Sequence, residues 1–303
     1  MEETGVSEGT SKNIDKKSLL QVAVCYVMWG VFPVFWKLLA DVNSFYVLAS
    51  RIVWSAVFCF IAILITHKMK DLTRVLRDKK MRRTLMCSGI AVAINWGLYI
   101  YAVNGNHILD ASLAYYMNPL MVIVLGYFVF KEKLLMRQWM AIGIAALGIF
   151  IAVVAYGEFP LFAIVIGGSF AIYSAIKKNV KCDGVISTFI EALFLTPFAI
   201  GYIIWAEAGS VGAVGVLGGA QFLLLPMAGI VTSVPLLLFS AGIANVPMSI
   251  TGIMMYVNPT LQLLIGILLY HETFDLARGV MFVCVWIAVI LFISAGRRKT
   301  QNA

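Results

Sequence analysis

Residues 111–132 read ASLAYYMNPLMVIVLGYFVFKE, and residues 251–272 repeat this pattern as TGIMMYVNPTLQLLIGILLYHE. The two copies share five identical residues at a single offset of 140 positions, without a gap. Such agreement indicates an internal duplication, which has to be recognised before the fold is assigned. The shared residues are Tyr116, Asn118, Pro119, Gly126 and Glu132, which recur as Tyr256, Asn258, Pro259, Gly266 and Glu272.

The composition predicts a polytopic membrane protein. Apolar residues make up 61% of the 303 residues and charged residues only 13%. Soluble domains average roughly 45–50% apolar and about 25% charged residues, so a soluble fold of this length would lack the polar side chains to cover its surface. The net charge of +8 is then explained by orientation in the membrane, and no soluble basic domain remains for nucleic acid, which we do not expect as a partner.

Ten apolar runs are long enough to cross a bilayer, which takes about 20 helical residues. Residues 1–15 are polar and lack the features of a cleaved signal peptide, so we expect a disordered cytoplasmic tail there, and a second, basic tail at 297–303. The expected fold is all-α and polytopic. We number the runs helices 1 to 10, at about 19–40, 44–66, 84–104, 110–130, 137–156, 160–177, 185–206, 220–243, 248–270 and 276–296.

The Lys and Arg residues concentrate in alternate loops. With the N-terminus inside, all but three of the 23 lie in cytoplasmic segments, as positive-inside bias requires. The exceptions are Lys37, Arg51 and Arg278. The sequence therefore predicts a multi-pass protein of the cytoplasmic membrane with both termini inside.

The offset of 140 residues links helices 1–5, at 16–156, with helices 6–10, at 157–296. Because five is an odd number, the second repeat must cross the membrane in the opposite direction to the first. Many secondary transporters use two inverted repeats for alternating access, with the substrate site between them. The same offset pairs Lys37 with Lys177 and Arg51 with Glu191.

Pro119 and Pro259 fall near the centres of helices 4 and 9. Each removes one backbone hydrogen bond and should kink its helix. The freed carbonyl one turn earlier must then face protein or a wet cavity. Asn118 and Asn258 add amides at the same depth. The two kinks either line a substrate cavity or serve packing, with the Asn side chains bonding across helices.

Aromatic and amide side chains recur together in the central helices, which suits a pocket for a small amphipathic molecule. The alternative is lipid-facing bulk or an interfacial aromatic belt, which we prefer for Trp36 and Trp205 near helix ends. The predicted substrate-binding residues are Trp29 and Phe32 in helix 1, Asn95, Trp96 and Tyr99 in helix 3, Tyr115 and Asn118 in helix 4, Tyr173 in helix 6, and Tyr256 and Asn258 in helix 9.

Arg51 and Glu191 place charges inside predicted membrane helices, where a charge costs at least roughly 2.5–3.5 kcal/mol and needs a partner. Together with Lys37 and Lys177 they are either gating residues, with Glu191 as a proton-coupling site, or members of structural ion pairs. The candidate partners are Asp41 or Asp110 for Arg51, and Lys177 or Lys178 for Glu191.

Glu132 and Glu272 end helices 4 and 9, where the helix dipole disfavours a carboxylate. We expect them to accept hydrogen bonds from N–H groups that open the next helix, or to pair with Lys133 or Arg278. Small residues in helix 5 allow close helix approach, and a homodimer face is one use for them. These are Gly143, Ala145, Ala146 and Gly148.

Several chemistries find no support in the sequence. The five cysteines and three histidines are scattered without metal-ligand spacing, and no Walker motif for ATP is present. We therefore expect neither a cofactor nor a metal. A lipid-modifying intramembrane enzyme, the alternative to a transporter, would need a clustered constellation such as H-E-x-x-H or G-x-S-x-G, which the sequence lacks.

Motifs along nearly the whole chain resemble the RarD-type, EamA-like proteins of the drug/metabolite transporter superfamily. They include FPVFWKLL, LASRIVW, INWGLYIYAVN and DASLAYYMNPL in the first half, and FAIYSAIKK, ISTFIEALFLTP, VTSVPLLLF and YVNPT in the second. The resemblance implies a ten-helix inverted-repeat exporter of small molecules, with a central cavity lined mainly by helices 1, 3, 4, 6, 8 and 9. The expected function is secondary transport of a small amphipathic metabolite or drug.

Overall fold

The computed structural model describes residues 15–104, 108–157, 159–271 and 275–301. Most of the predicted N-terminal tail and Glu272 lie outside these ranges, and the side chains of Asp110 and of the basic C-terminal tail are likewise not described. Apart from one isolated bridge between Val214 and Leu217, the described backbone contains no β-structure. Ten of its helices have the length and apolar composition to cross a membrane, which confirms the predicted all-α polytopic fold.

The spanning helices agree with the ten predicted runs to within a few residues. Helix 1 comprises Lys16–Val31 and Pro33–Lys37, helix 2 Ser44–Ile65, helix 3 Lys79–Asn104, helix 4 Ile108–Phe130, helix 5 Met136–Tyr156, helix 6 Leu161–Lys178, helix 7 Gly184–Ala208, helix 8 Leu224–Ile243 after a 3-10 turn at Gly219–Leu223, helix 9 Met248–Met255 and Val257–Tyr270, and helix 10 Leu276–Gln301. A short helix, Met69–Arg77, joins helices 2 and 3.

Polar side chains set the first residues of three helices. Asp15 accepts hydrogen bonds from the backbone N–H groups of Lys17 and Ser18, so residue 15 caps helix 1 and does not belong to the tail. Asn43 caps helix 2 and Asp183 caps helix 7 in the same way. Each cap satisfies N–H groups that the first helical turn leaves without partners. At the other terminus, helix 10 continues to Gln301, so part of the predicted basic tail is helical.

The two prolines predicted to kink helices 4 and 9 have different effects on their helices. Helix 9 is interrupted at Tyr256, three residues before Pro259, as expected where proline removes a backbone hydrogen bond. Helix 4, in contrast, runs through Pro119 without interruption, since the loss of a single hydrogen bond does not by itself end a helix. The helix is therefore interrupted beside the proline in helix 9 only, and the predicted kink in helix 4 stays a prediction.

The helices pack in pairs that cross between the two halves of the chain. The most extensive contacts join helices 5 and 10, 4 and 6, 2 and 7, 2 and 8, 3 and 6, 1 and 8, 4 and 9, 1 and 9, and 3 and 7. Each helix has a counterpart five positions further along the chain, so that helix 1 corresponds to helix 6 and helix 6 to helix 1. Replacing every helix by its counterpart gives the same set of pairs. Neither half therefore packs as a separate bundle.

Glycines allow the closest of these approaches. A Cβ atom at Gly229 in helix 8 would lie 2.5 Å from the backbone carbonyl carbon of Trp54 in helix 2. At Gly252 in helix 9 it would lie 2.7 Å from the carbonyl oxygen of Pro119 in helix 4. Backbone atoms cannot move aside as a flexible side chain can, so both helix pairs depend on glycine at these positions.

Candidate functional site

A cavity of about 810 Å³ runs from the middle of the bundle towards one end, within the usual size range of small-molecule sites. We call this the open end; it carries the loops that follow helices 1 and 9. The opposite end, where helix 1 begins at Lys16, is the closed end. The predicted site residues that line the cavity are Trp29, Phe32, Lys37, Arg51, Asn95, Trp96, Tyr99, Tyr115, Asn118, Asn258 and Pro259.

The other predicted site residues lie elsewhere. Tyr173 is fully buried and stacks on Phe239, with ring centroids 5.8 Å apart. Tyr256 is 1% exposed and packs in a core shared with helices 5 and 10. Pro119 faces helix 9 through its carbonyl oxygen, and Lys177 and Glu191 lie at the closed end. Tyr173 and Tyr256 therefore act in packing, because the rotation of their helices turns them away from the cavity.

Arg51 lies in the cavity wall between two indole rings. Its guanidinium carbon is 4.0 Å from the ring centroid of Trp96 and 5.2 Å from that of Trp36, a geometry in which the ring faces attract a cation. Neither Asp41 nor any other carboxylate with a described side chain pairs with it. Trp36, expected in an interfacial belt, lines the cavity instead because it turns inward to cover Arg51.

Amide side chains add directional polar groups to the wall. The Asn95 amide donates to the backbone carbonyl of Ile166, at 2.7 Å, and to the hydroxyl of Ser169, at 3.2 Å. Gln262 donates to Asn258 Oδ1 at 2.7 Å. The buried Oδ1 atom of Asn118 has no hydrogen-bond partner among the described residues, so it is available to a bound molecule.

Aromatic rings form the inner wall and floor of the cavity. The rings of Tyr99 and Tyr115 meet edge to face at 5.4 Å. Deeper in the bundle, Trp29 contacts Phe170 at 5.7 Å and Phe239 at 5.6 Å. These contacts close the floor with close-packed rings, so a molecule in the cavity would meet polar groups on the wall and apolar groups below.

The sequence reasoning missed several lining residues. Helix 2 contributes Val47 and Leu48 beside Arg51, while helix 6 contributes Ile166 and Phe170 and helix 8 only Thr232. Gln262 was detectable, since it is polar within an apolar run and lies one turn after Asn258 on the same helix face. Val47 and Leu48 of helix 2 were not detectable in this way, because the sequence does not distinguish apolar residues that line a cavity from apolar residues that pack between helices.

The closed end is held by a buried cluster of polar groups. Lys177 Nζ lies 2.8 Å from Glu191 Oε1, and the two residues are 1% and 4% exposed. Ser88 donates to the same carboxylate oxygen at 2.8 Å, and Lys177 also donates to Ser187. Lys177, one of the two predicted partners of Glu191, is thus the one it pairs with. The cluster joins helices 3, 6 and 7 across the two halves.

A second set of contacts seals the start of helix 9. Glu132, at the end of helix 4, accepts hydrogen bonds from the backbone N–H groups of Met248 at 2.6 Å and Ser249 at 2.9 Å. A carboxylate is well suited to the positive end of the helix dipole. Glu132 therefore caps helix 9, not the next helix as expected. Lys178 donates to the carbonyl of Val246 at 2.5 Å, just before this helix.

The small residues of helix 5 divide between two environments. Ala145 and Gly148 are buried against helix 10, where a Cβ at Gly148 would lie 2.5 Å from Cys284 Cβ. Gly143 and Ala146 face outward. Half of the predicted homodimer face is thus used for packing within the chain.

Comparisons with known proteins agree with this architecture. Residues 16–154 match the model of the EamA-like transporter family. The chain is 39% identical to the uncharacterized transporter YojE of Bacillus subtilis, over 91% of this chain and 93% of that protein. It is 34% identical to Protein RarD of Streptomyces exfoliatus, over 97% and 93% of the two chains. A crystal structure with 15% sequence identity matches with a TM-score of 0.69, covering 93% of this chain and 98% of the other.

Proposed function

We propose a transport function for this chain, which belongs to the EamA-like transporter family. It is a secondary transporter that exports a small amphipathic molecule across the cytoplasmic membrane. The observation that carries the proposal is the asymmetry of the bundle. One end holds a cavity lined from both halves of the chain, and the other end is closed by two sets of hydrogen bonds that also cross between the halves, from Ser88 to Glu191 and from the start of helix 9 to Glu132. This is one of the two states that alternating access requires.

The packing of the helices supports two equivalent repeats, at 16–156 and 157–296. The set of helix pairs is unchanged when each helix is replaced by its counterpart in the other half. Rotation of one half against the other can then close the cavity at the open end while the contacts between the halves at the closed end separate. With both termini inside, the open end faces outward.

Proton coupling through Glu191 is the alternative role for the closed-end cluster. Its pairing with Lys177 favours a structural latch instead, since the carboxylate already has a charged partner. The alternative is an intramembrane enzyme, and no contact among the described residues favours it.

Cysteine accessibility tests alternating access without knowledge of the substrate. In a background with the five native cysteines replaced, Ser112→Cys reports on the cavity and Ser88→Cys on the closed end. Addition of Glu191→Gln, which weakens the latch, should slow labelling of Ser112→Cys from outside and speed labelling of Ser88→Cys from the cytoplasmic side. The probe is a membrane-impermeant maleimide, applied to vesicles of each orientation.

Opposite changes at the two reporters support a carrier with two alternating states. Faster labelling at Ser88→Cys with no change at Ser112→Cys would indicate a continuous pore and refute the proposal. A comparison of metabolites released by overexpressing and deletion cells then tests the direction of flux.

A further inference from the structure

The cavity wall is positively charged. Three of its residues carry a cation, Lys37, Arg51 and Arg278, and none of the lining residues with a described side chain is Asp or Glu. Arg278 is compensated by Asp275, with Nε and Oδ2 3.3 Å apart. Lys37 is exposed at the mouth, where its ammonium lies 5.3 Å from the ring centroid of Tyr270. Arg51 lies deeper, about two helical turns from the start of helix 2.

Arg51 has the environment of a ligand-binding group. Its Nε is buried and has no hydrogen-bond partner among the described residues. Trp96 and Trp36 cover the guanidinium but accept no conventional hydrogen bond from it and carry no counter-charge. The residue as a whole is half-buried, and a charge partly removed from water is stabilised by a paired, hydrogen-bonded partner. The planar fork of the guanidinium matches a carboxylate, which it binds through two parallel hydrogen bonds.

The surroundings of Arg51 restrict the shape of its ligand. The edge-to-face rings of Tyr99 and Tyr115 line the same cavity and offer a surface for a flat apolar group. The Oδ1 of Asn118, a residue that lines the same cavity, is buried and has no hydrogen-bond partner among the described residues. Because Arg278 is compensated and Lys37 lies at the mouth, Arg51 is the one cation left to neutralise among the lining residues whose side chains are described.

We infer that the transported molecule is a small aromatic monocarboxylate whose carboxylate group pairs with Arg51 and whose ring lies against Tyr99 and Tyr115. The inference rests on the proposed transport function and adds the charge and shape of the substrate to it. Lys37 at the mouth gives the entrance a positive potential that attracts an anion.

Four ligands that share a phenyl ring and differ in the polar group attached to it test this inference on the purified full-length protein. Phenylacetate, phenylacetamide, phenethylamine and phenyl phosphate present one ring with a carboxylate, a neutral amide, a cation and a dianion. Thermal shift and equilibrium dialysis should show binding of phenylacetate ahead of the other three. Arg51→Gln should weaken phenylacetate binding roughly 10- to 100-fold, the usual effect of losing charged hydrogen bonds.

Two further variants complete the design. Arg51→Lys keeps the charge and loses the fork, so it should retain part of the affinity and serves if Arg51→Gln does not fold. Arg137→Gln removes an exposed cation near the closed end and should bind phenylacetate like the wild type. The inference is overturned if none of the four ligands binds, if the amide, amine or phosphate binds as tightly as the carboxylate, or if Arg51→Gln binds normally. Each of these results leaves the accessibility test of alternating access unaffected.

Discussion

At the scale of single residues, the buried pair of Lys177 and Glu191 shows how a charge is accommodated inside the bundle. Each partner is almost inaccessible, and the carboxylate also accepts a hydrogen bond from Ser88. Removal of one partner leaves the other charge buried without compensation, which typically costs 3–5 kcal/mol, whereas replacement of both by uncharged groups is often neutral. The pair therefore fixes helix 6 against helix 7 at the closed end more by the cost of separating the two charges than by their net attraction.

We expect Lys177→Met and Glu191→Gln each to lower the melting temperature of the purified protein, and the double variant to regain a large part of the loss. Melting followed by tryptophan fluorescence provides the measurement. A double variant that is as unstable as the sum of the single variants would show that the two side chains do not interact.

At the scale of elements, helix 9 begins on a carboxylate supplied by helix 4. Glu132 reaches Met248 and Ser249 across 116 and 117 positions of sequence, and it holds the two helices together where Gly252 already permits close contact. The helix start and the interhelical contact therefore depend on one side chain.

Glu132→Ala should destabilise the protein by about 1–2 kcal/mol, the usual cost of a lost N-cap, and should raise hydrogen exchange at the start of helix 9. The neighbouring Lys133→Ala, which truncates an exposed side chain, is the control and should change neither quantity. Equal protection of helix 9 in Glu132→Ala and the wild type would contradict the proposed capping role.

Features that depend on one segment alone were predictable from the sequence, whereas features that depend on the packing of distant segments were not. Hydrophobic length predicted the ten spans, since crossing a bilayer is a property of each segment alone. The rule that a helix end bonds nearby predicted the wrong partner for Glu132, because its true partner is distant in sequence. Tyr173 and Tyr99 look alike in sequence, yet only Tyr99 lines the cavity, since helix rotation depends on the neighbouring helices.

At the scale of the whole molecule, the two ends of the bundle differ in charge. The segment between helices 2 and 3 is basic and includes the amphipathic helix Met69–Arg77, while the loop between helices 7 and 8 at 209–218 has no Lys or Arg. Positive-inside bias predicts that the first segment lies in the cytoplasm.

A membrane-impermeant maleimide applied to intact spheroplasts should label Ser210→Cys and leave Lys70→Cys unlabelled until the membrane is permeabilised. Both positions are exposed in the structure, so the contrast reports on sidedness and not on burial. The reverse pattern would place the open end of the cavity in the cytoplasm and would contradict the predicted orientation.

Arg51 pairs with no carboxylate whose side chain the structure describes, and carboxylate binding there would have an energetic consequence at the level of the cell. A carrier loaded with a monocarboxylate is electrically neutral in its binding site, whereas the empty carrier bears one positive charge. A voltage of 100 mV across the membrane is worth about 2.3 kcal/mol per elementary charge. In a cell with a negative interior, this voltage draws the empty carrier back to face the cytoplasm, so each cycle moves one negative charge outward. Export would then be electrogenic and driven by the resting potential, and Glu191 would be free to remain a latch.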